Sequence, residues 1–262
     1  MKKWKSILCL ILAFLSFLAA IYYWLSSKNI QNTEKIIFLS SEETQKVLSE
    51  DADHYYQTFH KTDLKLRKSK NIQDYLAKIS NSGCEPEEEN KEKIRDCIEK
   101  VSTKLESSRN DTIDGIHIGK MLDLPWKIGF TCDKIYENGL PHTRGQVIIL
   151  NNQDLFRRNI TETCKLLIHE KVHIYQKHYK EEFSNFLNEN YEKVENIKRV
   201  DVPSNPDLDD NTYRDKKTRE ILKGEYNKKP KHFRDIKFLN NDQTNEHPNE
   251  LVAYSLQNKF DS

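Results

Sequence analysis

His169, Glu170 and His173 stand in the spacing His-Glu-x-x-His. On a helix, positions i and i+4 fall one turn apart on one face. Both imidazoles can then reach one tetrahedral Zn²⁺ at about 2.0–2.1 Å. The carboxylate beside the first histidine faces a water on that ion and can take its proton. The chemistry this predicts is metal-assisted hydrolysis. Nine His and 23 Glu in 262 residues give the pattern by chance about 0.03 times per chain, so the surrounding residues must carry the same message.

They do. Asn159 or Thr161 can cap a helix running through Leu166, Leu167, Ile168, Val172, Ile174, Tyr175 and Tyr179. Its apolar residues fill two stripes, Leu167/Ile174 and Ile168/Val172/Tyr175, which predicts a helix packed on several sides. Two histidines and a glutamate in such a helix are costly unless partnered, and a metal is a partner. Upstream, Gln146–Leu150 is a short apolar run after Gly145 and reads as a strand.

A strand leading into a His-Glu-x-x-His helix resembles the zincin metallopeptidases, whose sheet edge holds the extended substrate. A catalytic zinc takes three protein ligands and keeps one open position. The metzincin extension is absent: position 179 is Tyr, and no glycine lies between 174 and 182. His178 is five residues past His173 and points away from the pair. Further on, His247-Pro-Asn-Glu250-Leu-Val-Ala-Tyr254-Ser-Leu256 reads as a helix with Pro248 in its first turn. The Asn249-Glu250…Ala253-Tyr254 arrangement resembles the glutamate helix of the gluzincins, the thermolysin-like branch. That likeness runs from the strand near 146 to the C-terminus and implies Glu250 as the third ligand, with His247 and Glu246 as alternatives. The expected cofactor is one Zn²⁺ per chain and the expected substrate a peptide or protein. Glu170 is the expected general base. Tyr254, Tyr213, Tyr226 and His232 are candidates to stabilise the oxyanion.

The remaining sequence must position these groups. Ile116–Ile118, Trp126–Phe130 and Val147–Leu150 read as strands, with turns at Asn138-Gly139 and Pro141. His142 and Arg144 precede the expected edge strand at 146–150 and are candidate substrate contacts, a solvated turn being the alternative. Ser40-Ser-Glu-Glu43 has capping-box form and opens a helical stretch carrying Val47, Leu48, Tyr55, Tyr56 and Phe59. A second helix is expected over 71–80 and a charged one from Pro86 to Leu105. His54 and His60 lack ligand spacing. Residues 202–212 form an aspartate-bearing loop without the glycine and distal glutamate of a calcium loop. The expected fold class is α+β. A zincin-like domain over 111–262 follows a tether and helical subdomain over 28–110.

Residues 1–27 predict a membrane segment. Ile7 to Leu25 is apolar apart from Ser16, and nineteen helical residues span roughly 28 Å against a hydrocarbon core of about 30 Å. Tyr22, Tyr23 and Trp24 form an aromatic belt. Lys2, Lys3 and Lys5 place the N-terminus in the cytoplasm and the remainder outside it, extracellular or lumenal. The alternative is secretion after signal-peptide cleavage, for which Ala19-Ala20 is a poor site. Cys84, Cys97, Cys132 and Cys164 lie beyond this segment and allow two disulfides in three connectivities. Cys84–Cys97 is disfavoured, since eleven helical residues span roughly 16 Å. None of these cysteines is spaced for zinc. Asn110 and Asn159 sit in glycosylation acceptors, with Asn159 engaged as a cap. A net charge of +1 with interleaved signs gives no case for nucleic-acid binding. The alternatives to a zinc metalloendopeptidase are a catalytically silent zinc-binding protein and a membrane-anchored structural or adhesion protein.

Overall fold

The computed structural model describes residues 16–17, 36–194, 202–209, 211–238 and 247–259. The apolar run Ile7–Leu25, the tether before residue 36 and Glu246 therefore lie outside the described residues, Ser16 and Phe17 excepted. No helix among the described residues is long and apolar enough to cross a membrane. Chain contacts divide into two units, Met1–Ile37 and Phe38–Ser262, and the second carries everything below.

The fold is mixed α plus β with small sheets. Strands β1 (Gly83–Cys84), β4 (Trp126–Thr131), β5 (His142–Arg144) and β6 (Val147–Asn151) belong to the main sheet. β4 and β6 run parallel, with Ile128 opposite Ile148 and Phe130 opposite Leu150. Their residues are buried on both faces, which is why they read as unbroken apolar runs instead of alternating ones. β5 is antiparallel to β6 and ends the sheet. The expected edge strand at 146–150 is thus one position inside, and 142–144 is the edge. Between β1 and β4 come the two-residue strands β2 (Thr112–Ile113) and β3 (Ile116–His117). The expected strand 116–118 stops there, because His117 Nδ1 accepts the Lys120 N–H and starts a helix at Ile118.

Helix α1 (Ser41–Ser49) has the expected capping box between Ser40 and Glu43. It lies close over the sheet: a Cβ on Gly83 would come within 2.7 Å of the Gln45 backbone nitrogen and the Ser41 carbonyl oxygen, so only glycine fits there. The helix does not continue to Phe59 as the periodicity suggests. Asp51 accepts the Tyr56 N–H and His54 adopts a left-handed φ of 58°, a side-chain-to-backbone bond competing with the helical ladder. Leu48, Tyr55, Tyr56, Tyr75, Ile79 and Tyr136 bury themselves against Val147 and Ile149 of β6. Helices α2 (Lys61–Leu66) and α3 (Ile72–Lys78) complete this layer.

Helix α4 (Glu88–Leu105) packs on α7 (Ile160–His178). Helices α5 (Ile118–Asp123) and α6 (Asn152–Arg157) lie between them in sequence, and α8 (Lys180–Asn190) follows α7. Disulfides join Cys84 to Cys132 and Cys97 to Cys164, and the disfavoured pairing is absent. β1 pairs with β4 and α4 is covalently tied to α7, so the expected boundary near residue 110 does not divide the Phe38–Ser262 unit. The Cys97–Cys164 bond closes 67 residues of chain, and loop closure of that length stabilises by about 4 kcal/mol. Replacing both cysteines by alanine should lower unfolding free energy by about that amount in urea titration; an unchanged midpoint would refute the assignment.

Candidate metal centre

Helix α7 begins where Asn159 and Glu162 form a reciprocal capping box and is buried from Leu167 through Gln176. Its one-turn spacing brings His169 Nε2 and His173 Nε2 to 3.1 Å. Helix α9 (Pro248–Lys259) packs along α7 and delivers Glu250, whose Oε2 lies 3.2 Å from His169 Nε2 and Oε1 3.7 Å from His173 Nε2. Among the described residues these three form the one group of ligand atoms close enough to share an ion. A tetrahedral zinc with arms of about 2.05 Å requires ligand atoms about 3.3 Å apart, so the donor set fits.

The surrounding hydrogen bonds aim the ligands. His173 Nδ1 donates to Gln176 Oε1 at 2.8 Å, and Gln176 Nε2 donates to the Asn249 carbonyl oxygen at 3.1 Å. An amide oxygen can only accept, so His173 carries its proton on Nδ1 and turns the Nε2 lone pair inward. Asn205 donates to Glu250 Oε1 at 3.2 Å. The Nδ1 of His169 is buried with no hydrogen-bond partner among the described residues.

The ionisable groups around the pocket act strongly on one another. Burial depresses the pKa of the His169 imidazole, but the Glu250 carboxylate more than offsets this and lifts it to about 9. Burial raises Glu250, and the His173 and His169 rings override it, leaving that carboxyl below its ordinary range. Burial, with Asp207 next in size, pushes Glu170 up to about 8. A bound dication reverses this last effect by favouring every carboxylate nearby. Glu170 itself stands outside the three-ligand group, and its Oε2 accepts from the Thr143 hydroxyl at 3.0 Å.

A cleft of about 520 Å³ reaches His169, Glu170, Glu250 and Tyr254. Tyr254 lies one turn beyond Glu250, its ring centroid 4.6 Å from that of His169 and its surface 43 % exposed. The other oxyanion candidates are not so placed. Tyr213 donates to Asp209 and packs on His247 outside the cleft. Tyr226 borders the cleft, but its hydroxyl donates to Asp63, and His232 is exposed and off the cleft. His247 is not brought to the donor set. Its Nε2 faces Asp209 at 3.1 Å and its Nδ1 accepts the Asn249 N–H, so it caps α9. His178 is exposed at the end of α7, as its spacing suggests.

Both expected substrate contacts are engaged by the protein's own groups. Arg144 is 2 % exposed. It pairs with both oxygens of Asp53 at 2.8 Å and donates to the hydroxyls of Tyr56 and Tyr136. His142 borders the cleft, yet its two nitrogens face the Leu140 carbonyl oxygen and the Tyr136 hydroxyl, each at 2.9 Å. Strand alternation is the reason: 142 and 144 share one face, and the intervening Thr143 faces Glu170.

Three supporting residues escaped the sequence reading. Lys171, inside the motif, is fully buried; its ammonium donates to the carbonyl oxygens of Leu124 and Pro125 and lies 4.3 Å from the Trp126 ring centre. Asp207 is buried against Lys177 and the Thr143 N–H. Burial opposes its ionisation, but the Lys177 ammonium holds its carboxyl below the usual range. Gln176 had a usable signal, standing three residues past His173 on the same helical face. No known protein family, curated protein or solved structure matches the chain.

Proposed function

We propose that the chain is a zinc-dependent metalloendopeptidase resembling the gluzincin branch of the zincins. The observation that carries the reading is the convergence of His169, His173 and Glu250 on one point, with Glu170 outside the set and beside the same cleft. A purely structural zinc closes with four protein ligands and has no use for that carboxylate. Bound by these three residues, zinc supplies Lewis acidity, lowering the pKa of water to about 7 and polarising a scissile carbonyl. Glu170 takes the proton of the attacking water and passes it to the leaving amine. The Thr143 hydroxyl fixes which carboxylate oxygen faces the cleft. Tyr254 donates to the developing oxyanion.

The same reading places the catalytic part outside the cytoplasm behind an N-terminal anchor. Two disulfides within the Phe38–Ser262 unit support an oxidising compartment.

Zinc analysis of the purified full-length chain is the direct test, with one ion per chain expected. Adding zinc to chelator-stripped protein at a hundred times its Kd should stabilise the fold by about 2.7 kcal/mol, seen as a raised thermal midpoint. Absence of both stoichiometric metal and a thermal shift would sink the proposal.

A further inference from the structure

The edge of the main sheet is closed by the protein itself. Opposing residues of an antiparallel pair alternate between mutually hydrogen-bonded and outward-facing. In the β5–β6 pair Thr143 stands opposite Ile148, between His142/Ile149 and Arg144/Val147. The partners of Thr143 show which set it belongs to. Its N–H donates to both oxygens of Asp207 at 3.1 and 3.2 Å, and its carbonyl oxygen accepts from Lys177 Nζ at 2.6 Å. Thr143 is the middle residue of the three-residue edge strand, so its outward N–H and C=O are what β5 would offer an incoming strand. Its hydroxyl reaches Glu170, so a peptide paired here would lie beside the base.

Asp207 and Lys177 occupy that position with an acceptor and a donor, where an arriving peptide would present its own C=O and N–H. They are 2.9 Å apart. The segment holding Asp207 is anchored at several points. The Asp207 N–H donates to Asn205 Oδ1, and Asn249 donates to the Asp207 carbonyl oxygen. Ser204 donates through both its N–H and its hydroxyl to Asp63. Thr143 and Asp207 are both buried, at 0 % and 5 % exposure.

We propose that Asp207 and Lys177 are specificity-determining residues that exclude extended peptide main chain from β5. Substrates then reach the metal centre through the cleft bordered by α7 instead of by adding a strand. The proposal rests on the metallopeptidase reading for the identity of the excluded ligand, and its test does not need zinc.

The probe is a fluorescein-labelled random decapeptide library, its anisotropy titrated with the full-length chain carrying Glu170→Gln to prevent cleavage. Adding Lys177→Met, which frees the Thr143 carbonyl oxygen and leaves Asp207 uncompensated, should tighten library binding at least tenfold, in zinc-loaded and zinc-free protein alike. Equal binding with and without Lys177→Met overturns the proposal. Asp207→Ala, which removes the acceptor of the Thr143 N–H, provides a second opening should the first variant not fold. Amide exchange of the wild-type chain adds a measurement free of mutation: Thr143 has no main-chain partner, yet its N–H should be protected at least a hundredfold, and free exchange there overturns the closure. A purified chain that takes up no zinc when the metal is supplied, and whose library binding nevertheless rises on Lys177→Met, would sink the metallopeptidase reading and leave the closed edge standing.

Discussion

Glu170→Gln should lower peptide hydrolysis by the zinc-loaded chain 10²- to 10⁴-fold, the range for loss of a general base, while zinc content and thermal midpoint stay near wild type. Gln keeps the shape of the side chain and can still accept from the Thr143 hydroxyl, but it cannot take a proton. The losses should fall in kcat, because the proton moves in the transition state and not in substrate binding. The neutral amide also removes a buried carboxyl that sits among Asp207 and Glu250, so the fold should not suffer. Turnover of a peptide library at the wild-type rate by this variant would remove Glu170 from the mechanism.

Glu250→Ala should cost metal affinity. Four-ligand structural sites bind zinc with about 10–16 kcal/mol, or about 3 kcal/mol per ligand. Loss of one ligand therefore weakens binding about 10²-fold or more and takes hydrolysis with it at limiting zinc. Isothermal titration of metal-free protein reads this directly. His247→Ala is the control: it removes the cap of α9 and the Asp209 contact, so it should lower the melting point and leave zinc affinity largely intact. The reverse pattern, zinc kept by Glu250→Ala and lost by His247→Ala, would give His247 the ligand role.

Much of the candidate site was legible because its parts are local. A pentapeptide on one helical face, the Asn159 cap and a proline-started helix bearing Glu250 need only spacing along the chain to be found. The same holds for the strand core at 126–131 and 147–151, whose double burial leaves a continuous apolar signature. What sequence could not give was parity and partnership. His142 and Arg144 turn their polar atoms to Tyr136, Leu140 and Asp53, while Thr143 between them reaches Glu170. Arg144 reads as an exposed cation until Asp53, 91 positions away, is seen beside it. Asp207 looked like one of several loop aspartates because its partners Thr143 and Lys177 lie 64 and 30 positions off. The links that cross the expected subdomain boundary are hidden from the sequence for the same reason. β1 and the two disulfides act over 48 and 67 residues, and no local composition announces such links.

Lys171 gives the histidine pair a fixed compass bearing. A smooth apolar helix can roll about its long axis by tens of degrees with little change in buried area. Each such roll would swing two imidazoles away from a carboxylate mounted on another helix. The ammonium in the middle of the motif, moored to two main-chain oxygens at 2.6 and 3.1 Å on the flank away from the ligands, sets that rotational phase. Transplanting the helix into a new scaffold would therefore carry the donors without their alignment, unless the Leu124–Pro125 carbonyl dock travelled with it.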